Sequence, residues 1–555
     1  MVSPEIVKEQ LKRNDVMKQD RQDWEPFYSD VNKYVRPRKK SIDNHRTNGY
    51  LENDHYSSVG PSASNTLGLI MADTLTPKSI EWFGYQIPEH SPFKRFEKSV
   101  SVQNWFRTLG QGVFSALAQS NFYSVINEIY SDFNSFATIC MYLEEARLKR
   151  AGFNGFNFKA LPISSFTFTE NYLGIVDTVF REYELSVRQL FQDFKDHKGI
   201  PQKYHKLLKK EPDTAVKLVS VALPSVDIGR TTGMPFTVLD IIVDSQHVCG
   251  DAGFHEFPFF VGRWDKASGE QRGRGPTAIA MADIKTLNEL RFQELMGLQK
   301  AINPPILSGE EGFVGTVQMI PNAIVYSRNP KDVRLMPAEM RLDLSSLKAD
   351  QLEASIKDIY LVDQLKLPQR GDMTAEEVIT RRGEVERLLG PTVSRFESEV
   401  LSRMLERCAG MMVRSGSIAD PPPELDGMEE IDIVYTGQLS RAQKLAQVQS
   451  VQRWAQMGAE HGQIDPKVLN VMNLSEWQRI AAPLMGVPPE ALNTVSQQEE
   501  IEAAQQNAQA KEETKGDVES AAGVTNQIAP LAKLLGEGGA VGGTQDAVAA
   551  GIGLG

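Results

Sequence analysis

The residue clusters that could carry chemistry are few, and each has a plainer structural explanation. Glu144 and Glu145 could together hold a metal ion, but adjacent residues of a strand point to opposite faces of the sheet. We therefore expect one carboxylate to be solvated and the other to be ion-paired. His247 and His255 have no third ligand at helical or hairpin spacing, which favours turn or surface positions over a metal site.

The chain lacks the sequence motifs of nucleotide hydrolysis and of common hydrolases. It has no phosphate-binding loop, and the run Gly273-Arg274-Gly275 is too short for a dinucleotide-binding turn. It has neither a His-Glu-x-x-His zinc motif nor a Gly-x-Ser-x-Gly nucleophile motif. Cys140, Cys249 and Cys408 are far apart and odd in number, which argues against a disulfide framework or a cysteine metal site. We expect a protein that is not an enzyme and uses no cofactor or metal.

The charge balance limits the possible partners. The 555 residues include 60 basic and 72 acidic ones, giving a net charge of −12. A chain that grips phosphates tightly is normally basic, so strong sequence-independent DNA binding is not expected, although an acidic wall could let DNA slide past. No stretch approaches the roughly 18 apolar residues of a membrane span. The polar N-terminus also lacks the apolar core of a signal peptide, so we expect assembly in a cytoplasm-like compartment without membrane contact.

Hydrophobic periodicity predicts an α+β fold that is mainly helical. Apolar residues at helical spacing cover residues 1–40, ending at Pro37, then 62–75 and 100–136. The pattern then changes to strands and turns, with a short helix over 186–195. The strands are predicted at about 141–146, 153–158, 166–170, 175–184, 216–223, 236–243 and 257–264.

Two long helices on either side of a small β-rich segment are predicted next. The first runs from about Thr277 to Ile302, where Asn303-Pro304-Pro305 stops it, because proline cannot continue the helical hydrogen-bond ladder. The second runs from about Ser346 to Leu365.

The rest of the chain is also predicted to be mostly helical. Thr374 and Glu377 form a capping box at the start of a helix. Gly390-Pro391 is expected to interrupt this helix before it resumes to about Val413. A strand is predicted over 431–435, and helices over 439–510.

Local sequence around these elements carries a family resemblance. Pro276-Thr277-Ala278, with Asp283 to Asn288 behind it, is similar to the first stem helix of the portal, or head-to-tail connector, proteins of short-tailed (podovirus-type) bacteriophages. Met373 to Val378, and then Leu389-Gly390-Pro391, resemble the segment after that family's channel loop. Weaker similarities to the same family occur nearer the N-terminus, in Leu75-Thr76-Pro77 with Trp82-Phe83 and in Tyr130-Ser131-Asp132 with Met141-Tyr142. The resemblance covers about residues 1–440, in which we expect Trp82 and Phe83 to be core residues.

The resemblance implies a portal fold assembled as a ring around a central channel. Its parts would be a wing at 1–275, a first stem helix at 276–302, a clip at 303–345, a second stem helix at 346–365, a channel loop at 366–373, a kinked helix and strand returning to the wing at 374–440, a helical crown at 441–520 and a flexible Gly/Ala-rich tail at 521–555.

The same resemblance implies a homo-oligomer, commonly a dodecamer, at the capsid vertex where head and tail join in the virion. Double-stranded DNA would pass through the channel during packaging and ejection. The implied protein partners are a terminase, which would supply the ATPase, the major capsid and scaffolding proteins, and tail adaptor proteins.

Candidate DNA contacts follow from these assignments. The second stem helix carries two lysines among four acidic residues, which a ring would multiply into an acidic tunnel; a solvated helix face would explain the same charges. The channel candidates are Lys348 and Lys357 in this helix and Gln369, Arg370 and Asp372 in the channel loop. The clip candidates are Arg328, Lys331 and Arg334, for DNA phosphates or equally for tail or terminase proteins.

Two other function classes fit parts of the sequence. An acidic adaptor or scaffold protein would bind protein partners and form no DNA channel. A metal-dependent nucleic-acid enzyme would cleave DNA or RNA with a divalent metal, but no clustered acidic motif supports it. Rings with a central hole in electron micrographs would separate the first of these classes from a portal.

Overall fold

The structure is a computed structural model of the chain, and it divides into two units, Met1–Gln438 and Leu439–Gly555. It describes residues 3–37, 55–97, 99–146, 153–194, 200–230, 233–302, 306–307, 334–335, 342–362, 389–428, 431–435, 453–454 and 456–457. The helices and strands given below all belong to the first unit.

The α-helices are α1 (Pro4–Gln22), α2 (Glu25–Tyr34), α3 (Val59–Leu75), α4 (Val100–Gln119), α5 (Phe122–Phe136), α6 (Val187–Asp193), α7 (Gln202–Lys210), α8 (Pro276–Ile302), α9 (Leu342–Ile359) and α10 (Ser402–Arg414), with a π-helical segment Glu397–Leu401 directly before α10. The strands are β1 (Phe83–Gln86), β2 (Thr138–Glu145), β3 (Phe156–Leu161), β4 (Phe166–Glu170), β5 (Val176–Ser186), β6 (Ala215–Pro224), β7 (Phe236–Ile242), β8 (His247–Phe254), β9 (Phe259–Arg263), β10 (Ile306–Leu307), β11 (Arg334–Leu335) and β12 (Asp432–Tyr435).

Strands β4 to β8 form an antiparallel sheet in chain order, the largest sheet in the part of the chain that the structure describes. Side chains alternate between the two faces of a strand, and β6 shows this clearly. Val219 and Val221 lie in an apolar cluster with Val7 of α1. Val216 and Leu218 instead lie in a cluster with side chains of α6 and α7. Both faces of the sheet are therefore covered by helices.

A smaller sheet, ordered β3-β2-β9, contributes to the main core together with α3, α4, α5 and the first part of α8. Trp82 is fully buried in this core, where its ring stacks 6.2 Å from that of Phe122 and 6.5 Å from that of Tyr435. Phe83 is also buried. The expectation that Trp82 and Phe83 are core residues is confirmed.

A strand pair joins distant parts of the chain. β1 pairs antiparallel with β12, so that Phe83 lies opposite Tyr435 and Gln86 opposite Asp432. The strand predicted over 431–435 is therefore present, and its partner β1 was not predicted. The sequence pattern also missed β8 and α7.

Two predicted long helices are each divided. The N-terminal helix breaks between α1 and α2 because Pro26, near the start of α2, has no N–H to donate. The helix predicted over 100–136 breaks at Ser120, whose backbone is extended. Asn121 then bonds to strand β3, donating to the carbonyl of Phe158 at 2.8 Å and accepting from its N–H at 2.9 Å. This long-range contact, rather than a local breaker, sets the boundary.

The predicted long helices of the second half are present, with shifted bounds in one case. α8 covers the predicted 276–302. α9 runs from Leu342 to Ile359 instead of 346–365, because Leu361 has a left-handed backbone (φ 56°) that no α-helix continues. Residues 389–396 are helical through Pro391, and the irregular turn is the π-helical segment. The expected interruption at Gly390 lies at the edge of the described residues, and the segment before 389 lies outside them.

Candidate functional site

Helices α8 and α9 form an antiparallel pair that is joined at its base by a buried hydrogen-bond network. The Thr277 and Tyr360 hydroxyls lie 2.6 Å apart, and the Thr277 hydroxyl also donates to the carbonyl of Asn134 at 2.8 Å. The Asn134 side-chain amide donates to the carbonyl of Ser64, also at 2.8 Å. One network therefore joins the start of α8 and the end of α9 to α3 and α5, which fixes the direction of the pair relative to the body.

Further along the pair, polar side chains continue the contact. Ser355 of α9 donates to Asp283 of α8 at 2.7 Å. Arg291 of α8 pairs with Glu353 of α9 at 2.8 Å. Lys285, on another side of α8, pairs with Asp30 of α2 at 2.5 Å. The two contacts between α8 and α9 could be predicted from the sequence only if the antiparallel register of the two helices were already known.

The second half of α8 presents apolar side chains to the surface of this chain. Leu295, Leu298 and Ile302 are 52%, 42% and 76% exposed. At 100° per residue they fall within about 60° of one another, in line with Ile284 and Leu287, which are buried in the body. The same helix face is thus core at one end and exposed at the other.

The two predicted channel lysines of α9 lie on opposite sides of the helix. Nine residues separate Lys348 from Lys357, which is about 180° of helix rotation. Lys357 lies beside Glu353, with a nitrogen–oxygen distance of 3.9 Å, on the side that pairs with α8. Lys348 is exposed. A single channel wall can therefore include one of these lysines but not both.

The other predicted contact residues belong to the expected channel loop and clip. Gln369, Arg370 and Asp372 of the expected channel loop, and Arg328 and Lys331 of the expected clip, lie outside the described residues. Arg334 lies in β11, where it is the backbone partner of Leu307 in β10. This pairing of β10 with β11 joins the segments next to the two long helices.

Sequence reasoning missed a buried charged cluster beside the π-helical segment. Arg263, at the end of β9, is almost fully buried and pairs with Glu399 at 2.6 Å and with Glu170. Lys266 pairs with the same Glu170 carboxylate at 2.6 Å. The cluster joins the β4–β5 hairpin to the π-helical segment that precedes α10. Arg263 carries no local signal, because its partners are 93 and 136 residues away in sequence.

Burial also shifts the pKa of one carboxyl group in the π-helical segment. Glu397 begins the π-helical segment, and burial raises the pKa of its carboxyl to about 7. Its backbone carbonyl accepts from the hydroxyl of Tyr435 at 3.2 Å. Glu397 is thus partly protonated near neutral pH.

The glutamates, histidines and cysteines that the sequence analysis considered as metal ligands or nucleophiles are all explained by their places in the fold. Glu144 pairs with Lys159 at 2.6 Å, whereas Glu145 is exposed, as expected of neighbours on a strand. His247 and His255 are exposed. Burial raises the pKa of the Cys140 and Cys408 thiols, which disfavours the nucleophilic thiolate. The described part of the chain holds no group of three or more potential metal ligands, and none of its helices is long and apolar enough to cross a membrane.

The fold and this site define a class: an α+β protein whose mixed body holds the base of a long antiparallel helix pair. Comparison with known families gives the particular family. The chain belongs to the bacteriophage head to tail connecting proteins, whose family model matches residues 7–492. The match includes the body, both long helices and the returning helix.

Two relatives are similar to the chain over most of their length. A probable portal protein of Bordetella phage BPP-1 is 22% identical over 501 residues, which cover 87% of this chain and 88% of the relative. The portal protein of Salmonella phage epsilon15 is 22% identical over 499 residues, covering 86% and 87% of the two chains. The resemblance noted in the sequence is therefore confirmed at the level of the family.

Proposed function

We propose that this chain is the portal subunit at the head–tail junction of a phage particle. Copies of it form a ring, commonly of twelve subunits in this family, around a channel for double-stranded DNA. The observation that carries the proposal is the antiparallel pair of α8 and α9, held at its base by Thr277 and Tyr360, in a chain whose family match extends from residue 7 to 492.

The exposed face of α8 supports assembly into a ring. Leu295, Leu298 and Ile302 continue a core face into solvent, and a contiguous exposed apolar surface typically marks an interaction site. A ring is closed by a heterologous contact, in which one side of each copy meets the other side of the next. We assign the apolar face of α8 to that contact.

The proposal also assigns each segment of the chain to a part of the portal. Residues 1–275 and 374–440 form the wing, 276–302 and 346–365 the stem, 303–345 the clip, 366–373 the channel loop, 441–520 the crown and 521–555 the tail. The clip meets the terminase before packaging and tail adaptor proteins after it. The major capsid and scaffolding proteins surround the wing. The contact of the returning segment with the body, through Arg263–Glu399 and the β1–β12 pair, supports its place in the wing.

The charge distribution suits a channel that lets DNA slide. The chain carries a net charge of −12, and Asp350 is exposed on α9. Arg291 already pairs with Glu353, so this carboxylate adds little to the field of the wall. Lys348 and the loop residues Gln369, Arg370 and Asp372 are the proposed sites of weak DNA contact. An exposed ion pair contributes only about 0–1 kcal/mol and is screened by salt, which permits movement.

Electron microscopy and light scattering of the purified protein test the proposal directly. A portal subunit gives rings with a central hole and the mass of a closed oligomer. Monomers under the same conditions, together with no ring at a vertex of particles, would refute it. Solid assemblies without a hole would favour the acidic adaptor instead.

The channel loop has its own test. Replacing residues 369–372 with a Gly/Ser linker leaves ring assembly intact and reduces the retention of packaged DNA. Unchanged genome length and retention in that variant would show that the loop only connects two helices.

A further inference from the structure

A cavity of about 610 Å³ lies beside the base of α8, away from the paired face of α8 and α9. Its walls come from α1, α2, β4 and the loop between β9 and α8. The lining residues on which the argument depends are Asp20, Asp23, Trp24, Phe27, Arg272 and Arg274. The cavity thus combines aromatic walls with charges of both signs.

Arg272 is the unusual member of this lining. It is 7% exposed, and its guanidinium lies between the rings of Tyr28 and Phe168, 5.9 and 5.6 Å from their centroids. Its hydrogen bond, to the hydroxyl of Tyr28, is long at 3.4 Å. Within the described ranges it forms no ion pair with a carboxylate. A buried cation without an anionic partner is costly, and aromatic rings offset only part of that cost.

Arg274, in the same loop, differs from Arg272 because its guanidinium is paired with a carboxylate. It makes two hydrogen bonds to Glu270, at 2.7 and 2.8 Å, and lies over the ring of Trp24 at 5.2 Å. Glu270 is therefore already engaged. Arg272 is the cation of this cavity that is left to meet a ligand, and its planar guanidinium suits a two-oxygen group.

The rim of the cavity selects among anions. Asp20 and Asp23 line the cavity and are exposed, so they repel a ligand with dense negative charge such as a phosphate. They would attract a cationic group on the same ligand. A ligand with one carboxylate and a separate positive charge matches both kinds of charge, and Trp24 and Phe27, which also line the cavity, offer apolar contact to an aliphatic stem.

We propose that this cavity binds a short peptide segment of a partner protein, with an acidic group on Arg272 and a basic group at Asp20 and Asp23. The proposal concerns side chains of α1, α2, β4 and the loop before α8, and it can be tested separately from ring formation. A DNA backbone is a poor alternative occupant, since its phosphates would meet the two rim carboxylates.

The probes are 6-aminohexanoate, hexanoate and inorganic phosphate, titrated into the full-length protein by calorimetry at constant ionic strength. We expect saturable binding that is strongest for 6-aminohexanoate and weakest for phosphate. Arg272→Met should weaken the binding of 6-aminohexanoate about tenfold, as expected for loss of a charge-assisted hydrogen bond. Arg272→Lys, which keeps the charge without the planar fork, should give an intermediate loss and covers the case in which Arg272→Met does not fold.

Arg181 provides a matched control. It also lies against two rings, 5.7 Å from the centroid of Tyr142 and 4.6 Å from that of Tyr183, but it does not line the cavity. Arg181→Met should bind 6-aminohexanoate as the unaltered protein does. Absence of saturable binding, a preference for phosphate, or equal losses in the Arg181 and Arg272 variants would each overturn the proposal.

Discussion

The two halves of α8 use one helix face for different purposes. In the first half, Ile284 and Leu287 are buried in the body, and Thr277 is bonded to α5 and α9. In the second half, Leu295, Leu298 and Ile302 are exposed on the same face. In the first half, burial of these side chains stabilises the fold of the subunit. In the second half, the apolar side chains can be buried only by contact with a neighbouring molecule. The comparison predicts that mutations in the two halves affect different measurements.

The largest expected effect is on assembly and lies in the second half. Leu298→Asp places a charge on the apolar face, and burying it between copies is strongly unfavourable. We expect loss of rings in micrographs and by light scattering, with subunit stability changed by no more than about 0.5 kcal/mol. The neighbouring exposed Gln299→Asp is the control and should still assemble. Normal rings with Leu298→Asp would remove this face from the subunit contact.

A core substitution in the first half should act on folding instead. Leu287 is 1% exposed, and Leu287→Ala should lower the free energy of unfolding by about 2–5 kcal/mol through lost burial and a cavity. The matched variant Leu295→Ala removes the same atoms from an exposed position and should change it far less. Chemical unfolding of both variants measures the difference, and equal losses would contradict the division of α8 into two halves.

A smaller effect is expected from the polar network at the base. Thr277→Val keeps the side-chain shape but removes the hydroxyl that bonds to Asn134 and Tyr360, which should cost about 1–3 kcal/mol of unfolding free energy. Thr286 also bonds through its hydroxyl, to the carbonyl of Ala282 at 2.8 Å, but on the exposed side of the same helix. Thr286→Val should therefore be nearly neutral, and a comparable loss there would show that the buried network is not special.

The last expected effect depends on pH and involves the returning helix that packs on α5. Burial raises the pKa of Glu397 to about 7. Because its folded-state pKa lies above its unfolded one, the carboxyl favours folding at low pH, and stability falls as pH rises from about 4.5 to about 7. Glu397→Gln should remove this fall, so the variant should be more stable than the unaltered protein at pH 8. The exposed Glu289→Gln is the control, and unfolding curves across pH that coincide with and without Glu397 would contradict the effect.

The parts of the fold that local sequence controls were predictable. Pro304 and Pro305 set the end of α8 because proline cannot extend a helix. Alternating apolar residues likewise marked the strand β4. The break at Ser120 was not predictable from local sequence, because it depends on the hydrogen bonds that Asn121 makes to Phe158 in a distant strand.

The candidate site was predicted only in outline. The two long helices were located, but Lys348 and Lys357 were both assigned to the channel, although their nine-residue spacing places them on opposite sides of a helix. The buried cations Arg263 and Arg272 were missed for a different reason. A charged side chain normally faces solvent, and its burial is decided by residues distant in sequence, such as Glu399 and Phe168.

The pairing of β1 with β12 has a consequence for the order of events during protein synthesis. Gln86 donates to Asp432 across 346 residues of chain. At about 5–20 residues per second, a ribosome needs roughly 20–70 s to make the intervening segment. Throughout that time the edge of β1 and the aromatic surface around Trp82 lack the cover that Tyr435 provides. The body of each subunit is therefore completed late, after both helices of the long pair have left the ribosome, and a truncated chain is left with an open strand edge.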